Sequence, residues 1–158
     1  MLTEEERQEI KKELAKHSDR RAASVEALQI VQRRRGWVPD EIREIAELLE
    51  VTPDELDSVA TFYSLIYRKP VGRHVILVCD SISCWVMGYE PVRGYLSSRL
   101  GIGLGETTAD SLFTMLPVAC LGACDRAPAM MIDDELYLDL GPEKIDAILE
   151  KYRSEKND

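Results

Sequence analysis

The sequence has fewer basic than acidic residues and no long apolar run, and each shortage excludes a class of protein. Lysine and arginine number 20 against 29 aspartates and glutamates, for a formal net charge of −9 at pH 7. Because an acidic surface repels phosphate, we expect no nucleic-acid partner. No stretch approaches the roughly 18 apolar residues of a membrane-spanning helix. The acidic N-terminus has neither the basic region nor the apolar core of a secretory signal.

Cysteine is scarce and unevenly placed. All four cysteines lie between residues 79 and 124, and the rest of the chain has none. In a chain without an export signal, cysteines more often serve as ligands or catalysts than as disulfides. We therefore predict a soluble protein of a reducing compartment. With 45% hydrophobic residues, the chain can bury a real core.

Residues 1–70 are predicted to form an N-terminal helical bundle without catalytic features. Thr3 with Glu6, and Thr52 with Glu55, have the spacing of capping boxes, in which each side chain bonds the other residue's backbone N–H. Apolar residues recur at helical spacing between these signals. Four helices are expected, over about residues 4–16 and 22–34, from Pro39 onward, and after Thr52.

Residues 71–158 are predicted to form a second domain, an α/β fold with a small mixed sheet. The polar segment Arg68–Arg73, which contains Pro and Gly, marks the boundary. Asp133-Asp134 is typical of a hairpin turn. The predicted strands are His74–Cys79, Phe113–Val118, Ala129–Ile132 and Glu135–Leu140, and the predicted helices are Val86–Leu100 and one that begins at Pro142.

The cysteines form two pairs, each just after a predicted strand. The spacing is C-x4-C, then 35 residues, then C-x3-C. Two loops at one sheet edge can bring four thiolates together, which favours an iron–sulfur cluster. Such a cluster is an anion that needs N–H donors, and these are expected from the loops 81–83 and 121–123 and from a helix beginning near Trp85, after Cys84. Gly122 would let the backbone approach sulfur closely.

Other uses of four cysteines fit less well. Structural zinc usually has tighter C-x2-C pairs, although zinc stays open on spacing alone. A thioredoxin-type dithiol needs C-x-x-C, and plant-type ferredoxins use C-x4-C-x2-C, and both patterns are absent. His17 and His74 are not needed as Rieske-type ligands, because four cysteines suffice. His74 is simply expected at the start of a strand.

Two long segments make the pattern specific: Val78–Cys84 (VCDSISC) and Leu116–Ile132 (LPVACLGACDRAPAMMI). Together with Ser58–Tyr63 (SVATFY), they resemble the E-type (24 kDa) subunit family of NADH–quinone oxidoreductase, respiratory complex I. The resemblance covers nearly the whole chain. It implies a thioredoxin-like ferredoxin domain behind the helical bundle. It also implies a single [2Fe–2S] cluster whose metal ligands are Cys79, Cys84, Cys120 and Cys124.

The resemblance also implies a role and a partner. The chain would be an electron-transfer subunit, not catalytic alone, that accepts one electron derived from NADH. FMN and NADH would be bound by a partner flavin subunit only. The chain would be cytoplasmic, held at the cytoplasmic side of the inner membrane through the complex. Related chains serve NAD-dependent formate dehydrogenases and NAD-reducing hydrogenases, and a stand-alone ferredoxin and a zinc interaction module remain alternatives.

Two further features bear on partners. Gly101–Gly105 (GIGLG) resembles part of a dinucleotide-binding motif, but that motif must follow a strand and open a helix. Here it follows a predicted helix, so we expect a helix end and no NADH binding by this chain. Apolar residues near the cysteines are candidates for contact with the flavin subunit, although Trp85, Met87 and Tyr89 could equally pack in the core under the cluster loop. The candidates are Trp85, Met87, Tyr89, Ala127, Pro128 and Met130.

Overall fold

The computed structural model describes residues 1–38 and 42–154. The chain divides into two compact units, Met1–Pro70 and Val71–Asp158. Each unit has its own cluster of buried apolar side chains.

The first unit is helical, as predicted. Its helices are α1 (Glu4–Leu14), α2 (Ser24–Arg35), α3 (Arg43–Leu49) and α4 (Pro53–Phe62), with a 3-10 turn at Arg20–Ala23. Both predicted capping boxes are confirmed, with the Thr3 and Thr52 hydroxyls accepting from the N–H groups of Glu6 and Glu55. The predicted helix start at Pro39 lies outside the described residues. The core is largely aliphatic and includes Ile10, Leu28, Ile45, Leu49 and Leu56.

An ion pair in the described part of this unit joins a buried carboxylate to a partly exposed arginine. Glu6 is almost completely enclosed, and its carboxylate accepts from Nε and Nη2 of Arg35 at 2.8 and 2.6 Å. It also accepts from the Thr3 N–H at 2.7 Å, so the capping glutamate joins α1 to the end of α2. These hydrogen bonds from Arg35 hold the pKa of Glu6 below its usual value, against the opposing effect of burial.

The second unit is a five-stranded mixed sheet with helices. Its strands are β1 (His74–Cys79), β2 (Glu106–Thr107), β3 (Phe113–Val118), β4 (Met130–Ile132) and β5 (Glu135–Tyr137), in the order β2-β3-β1-β4-β5. The helices are α5 (Ile82–Met87), α6 (Tyr89–Leu100) and α7 (Pro142–Ser154). The α/β prediction is confirmed, and the Asp133-Asp134 turn joins the antiparallel pair β4 and β5.

Several predicted boundaries were wrong. The single helix predicted over Val86–Leu100 is two helices, because Gly88 with φ of 123° interrupts it. The last strand ends at Tyr137 rather than Leu140. Strand β2 was missed, since two residues carry no period-2 pattern.

The central strand β1 positions the site. All six of its residues are buried, as expected for a strand with a neighbour on each side and both faces covered. It runs parallel to β3, with His74 opposite Phe113 and Cys79 opposite Val118. Parallel neighbours end at the same sheet edge, so the loops that carry the two cysteine pairs begin side by side.

Candidate metal centre

The two cysteine loops start from paired positions, as the sequence predicts. Cys79 is the last residue of β1, and the next residue, Asp80, donates its N–H to the Val118 carbonyl at 3.0 Å. Cys120 follows Val118 by two residues. On its other side, the Cys79 N–H donates to the Ala129 carbonyl at 3.1 Å. Three loops therefore meet around the end of β1.

The first pair is enclosed. Cys79 and Cys84 are 3% and 1% exposed and belong to the apolar core of the second unit. Cys84 was predicted to lie in a loop, but it is the third residue of α5. The helix begins earlier than expected because Ser81, in extended conformation, takes the N-cap position, and its carbonyl accepts from the Trp85 N–H at 2.8 Å.

Polar groups of two loops converge on the Cys79 sulfur. The Cys79 S–H donates to Ser81 Oγ at 3.4 Å, and the N–H groups of Ser81 and Leu121 donate to the sulfur. Burial alone would raise the pKa of the Cys79 thiol, but these hydrogen bonds outweigh burial and lower it. A site that favours the thiolate favours the form that binds metal.

Cys84 completes the pair. Burial, and then its contact with Cys79, raise the pKa of the Cys84 thiol, while the Ala129 N–H acts in the opposite direction. Two thiols this close cannot both ionise easily without a cation between them. The predicted N–H donors near Ser81 and Leu121 are thus present. The Ala129 donor was missed, because it comes from a third loop that no spacing in the sequence connects to the cysteines.

The second pair is exposed. Cys120 and Cys124 both face solvent, and Cys124 begins a 3-10 turn that ends at Arg126. The Gly122 N–H donates to the Cys120 sulfur at 3.3 Å. Gly122 has a φ of 75°, while a Cβ added there would meet nothing within 4 Å. The positive φ of this turn favours glycine, and the close approach of the backbone to the cluster's sulfur atoms stays a prediction.

The donor set fits an iron–sulfur cluster. Among residues 1–38 and 42–154, no three His, Cys, Asp or Glu side chains lie close enough together to share one metal ion. A [2Fe–2S] centre needs two thiolates for each of two irons, and the chain supplies four cysteines as two pairs along the sequence. Four cysteines, with N–H donors aimed at the sulfurs, suit that anionic group.

An apolar surface lies beside the first pair. Four side chains of α5 are more than half exposed, and they define what we call the α5 patch: Ile82, Trp85, Val86 and Met87. Ile82 and Val86 were not among the predicted contact residues, and Ile82 lay before the predicted start of the helix. The selection of Tyr89, Ala127 and Met130 as contact residues was wrong, because all three are buried in the unit's own core.

The glycine-rich segment has the structure expected of a helix end. Gly101 caps α6 with a left-handed φ of 69°, and the Gly105 N–H donates to the Met115 carbonyl at 2.7 Å. It follows a helix and leads to the short strand β2. The dinucleotide motif needs the opposite order, strand and then helix.

Fold and thiol pattern together define a thioredoxin-like ferredoxin, and the comparison with known families agrees. The model of the thioredoxin-like [2Fe–2S] ferredoxin family matches residues 10–153. The E subunit of NADH-quinone oxidoreductase from Pseudomonas aeruginosa is 54% identical, over 96% of this chain and 92% of that protein. The E subunit from Escherichia coli K12 is 49% identical over the same shares. The chain belongs to the thioredoxin-like [2Fe–2S] ferredoxin family and, within it, to the E subunits of NADH-quinone oxidoreductase.

A solved structure extends the comparison. An NAD⁺-reducing [NiFe]-hydrogenase superposes with a TM-score of 0.68 and 25% identity over 86% of this chain. The chain spans only 23% of that hydrogenase chain, so most of that chain has no counterpart here. Family membership confirms the predicted [2Fe–2S] cofactor and the electron-transfer role. Within residues 1–38 and 42–154, no helix has the length and apolarity needed to cross a membrane.

Proposed function

We propose that Cys79, Cys84, Cys120 and Cys124 hold one [2Fe–2S] cluster. The observation that supports this is that the loops carrying the two cysteine pairs begin at the shared end of β1 and β3, where the Leu121 N–H of the second loop reaches the Cys79 sulfur of the first. When bound, such a cluster accepts and releases one electron. The chain's own residues bind it, shield one side within the core and supply donors to the sulfurs. No other cysteine exists in the chain, so it can carry only one such centre.

We further propose that the chain is the electron-transfer subunit of an NADH-quinone oxidoreductase. It would lie next to the FMN of a flavin subunit that binds NADH. The support is the identity of 54% to an E subunit across nearly the full length of both proteins. The hydrogenase likeness is weaker and covers a fraction of that chain. An equivalent subunit of a formate dehydrogenase or hydrogenase, or a stand-alone ferredoxin, is therefore the lesser candidate.

The α5 patch is the surface we assign to the flavin subunit. Exposed apolar side chains are costly in water and are enriched where partners dock. These four share the short helix that carries Cys84, so a partner there would cover the approach to the buried thiols. The interface should be of the obligate class, above about 2,000 Å² in total. Binding in this complex would place the chain on the cytoplasmic side of the inner membrane.

Metal analysis tests the cofactor site. Full-length protein made under iron-replete, anaerobic conditions should contain two irons and two acid-labile sulfides per chain. Dithionite should bleach its brown colour. Stoichiometric zinc without sulfide would show that the site is a zinc site.

Co-expression with the flavin subunit of the same organism tests the partner. The V86E variant should weaken the heterodimer at least tenfold in size-exclusion chromatography with light scattering, because it places a charge in an apolar interface. L136E is the matched control, since Leu136 is also exposed but lies on β5. If V86E and L136E bound the partner equally, the α5 patch would not be the interface.

A further inference from the structure

Ser81 occupies an N-cap position but does not cap its helix. Three other N-cap side chains in the described residues do so: those of Thr3, Asp19 and Thr52 accept from backbone N–H groups of the turn that follows. The Ser81 hydroxyl makes no such bond. Its Oγ lies 3.4 Å from the sulfur of Cys79 instead.

The direction of that contact depends on the state of the cysteine. A thiol can donate its S–H to the Ser81 oxygen, which is the contact seen here. A thiolate has no proton and can only accept, and a serine hydroxyl can rotate to donate. With a metal-bound thiolate at Cys79, the Ser81 O–H therefore becomes the donor. The Trp85 N–H bond to the Ser81 carbonyl fixes the backbone that aims this hydroxyl.

We propose that Ser81 is a positioning residue that sets the reduction potential of the site through an O–H···S hydrogen bond to Cys79. This rests on the proposed cluster ligands. Reduction adds one electron, and hence one negative charge, and no proton moves. A hydrogen bond to a charged acceptor strengthens as that charge grows. The Ser81 hydroxyl therefore stabilises the reduced state more than the oxidised state.

The test is a redox titration of the full-length, cluster-containing chain. The electron paramagnetic resonance signal of the reduced form monitors the titration. S81A should lower the midpoint potential. At the wild-type midpoint, the oxidised-to-reduced ratio should rise about three- to tenfold, and a tenfold change corresponds to 59 mV for one electron. S83A is the matched control, because Ser83 lies in the first turn of α5 and, among the described residues, makes no hydrogen bond to a cysteine sulfur.

A second measurement does not depend on the potential. Resonance Raman spectra in H₂O and D₂O should show an isotope shift of the iron–cysteine stretching bands, and that shift should be smaller in S81A than in wild type or S83A. S81T restores a hydroxyl and should restore both the potential and the isotope shift. If S81A loads poorly, S81T should load normally.

The outcomes separate the two proposals. Wild-type protein without iron and sulfide would refute the cluster site itself. Normal wild-type protein, with S81A unchanged in potential and in isotope shift, would refute the role of Ser81 alone. An S81T variant as defective as S81A would also refute it, since the hydroxyl would then not be the group that matters.

Discussion

The two units use similar local devices for different ends. In the helical unit, polar side chains at helix starts close on the backbone or on each other, as Thr52 does with Glu55 and Glu6 does with Arg35. In the sheet unit, the Ser81 hydroxyl and the N–H groups of Ser81 and Leu121 instead contact the sulfur of Cys79 at the end of β1. The core of the first unit is largely aliphatic, whereas that of the second includes two thiols. The helical unit thus uses these polar groups for stability, whereas the sheet unit uses some of its polar groups at the cysteine site.

Removing a cysteine should have the largest effect, and only in the sheet unit. Each of Cys79, Cys84, Cys120 and Cys124 changed to Ala should lose the cluster, because one iron would lack a ligand. Iron and sulfide analysis and visible absorbance measure this. Circular dichroism should show that helix content is mostly kept, since the helical unit has its own core. A normal cluster in C120A would contradict the ligand set.

Core truncation sharpens the comparison. Ile76→Ala in β1 and Leu28→Ala in α2 both remove a fully buried side chain, so each should cost about 3 to 4 kcal/mol in the free energy of unfolding. I76A should also bleach at a lower temperature, because β1 carries Cys79. L28A should lose amide protection in the helical unit while its bleaching temperature stays closer to wild type. Hydrogen-exchange mass spectrometry and a thermal absorbance scan separate the two.

Much of this arrangement could be predicted from the sequence because its signals are local. The strands His74–Cys79 and Phe113–Val118 and both capping boxes match their predicted positions. Cysteine spacing relative to those strands indicated the meeting of the loops. Such signals need only a few neighbouring residues, so tertiary packing did not override them.

What could not be predicted depends on contacts distant in the chain. Whether Tyr89 or Met130 faced a partner or the core could not be decided from their apolar character, and both are buried. The Ala129 N–H reaches Cys84 from a loop 45 positions further along the chain, so no short-range pattern indicates it. The break at Gly88 was missed because one glycine within a helical pattern does not by itself predict a break.

Breaking the Glu6–Arg35 pair should have the next largest effect on stability, and only in the helical unit. R35A leaves a buried carboxylate without its main donor, which should cost about 2 kcal/mol at pH 7. Because the pKa of Glu6 is lowered in the folded state, its contribution is present above its usual value near 4.5. It is lost as the pH falls through the folded-state pKa.

Urea unfolding across pH 7 to pH 3 measures this dependence. The difference between wild type and R35A should shrink toward the acidic end, as Glu6 becomes protonated. E6Q has no carboxylate at this position and should show a flatter pH profile than wild type. A constant penalty for R35A at all pH values would mean that Arg35 acts by packing rather than by charge.

The smallest effect compares two N-cap hydroxyls, one in each unit. Thr52→Ala removes a side chain that accepts from the Glu55 N–H at 3.2 Å, so it should cost about 1 kcal/mol. Hydrogen exchange should accelerate at the start of α4, where that amide loses its partner. Ser81→Ala removes a hydroxyl that bonds no helix amide, so exchange at the start of α5 should stay close to wild type. Both variants lose one hydroxyl at the same position relative to a helix, and only the target of the hydroxyl differs. If S81A accelerated exchange at the start of α5 as T52A does at the start of α4, Ser81 would be an ordinary N-cap. The contrast between the two units would then not hold at this residue.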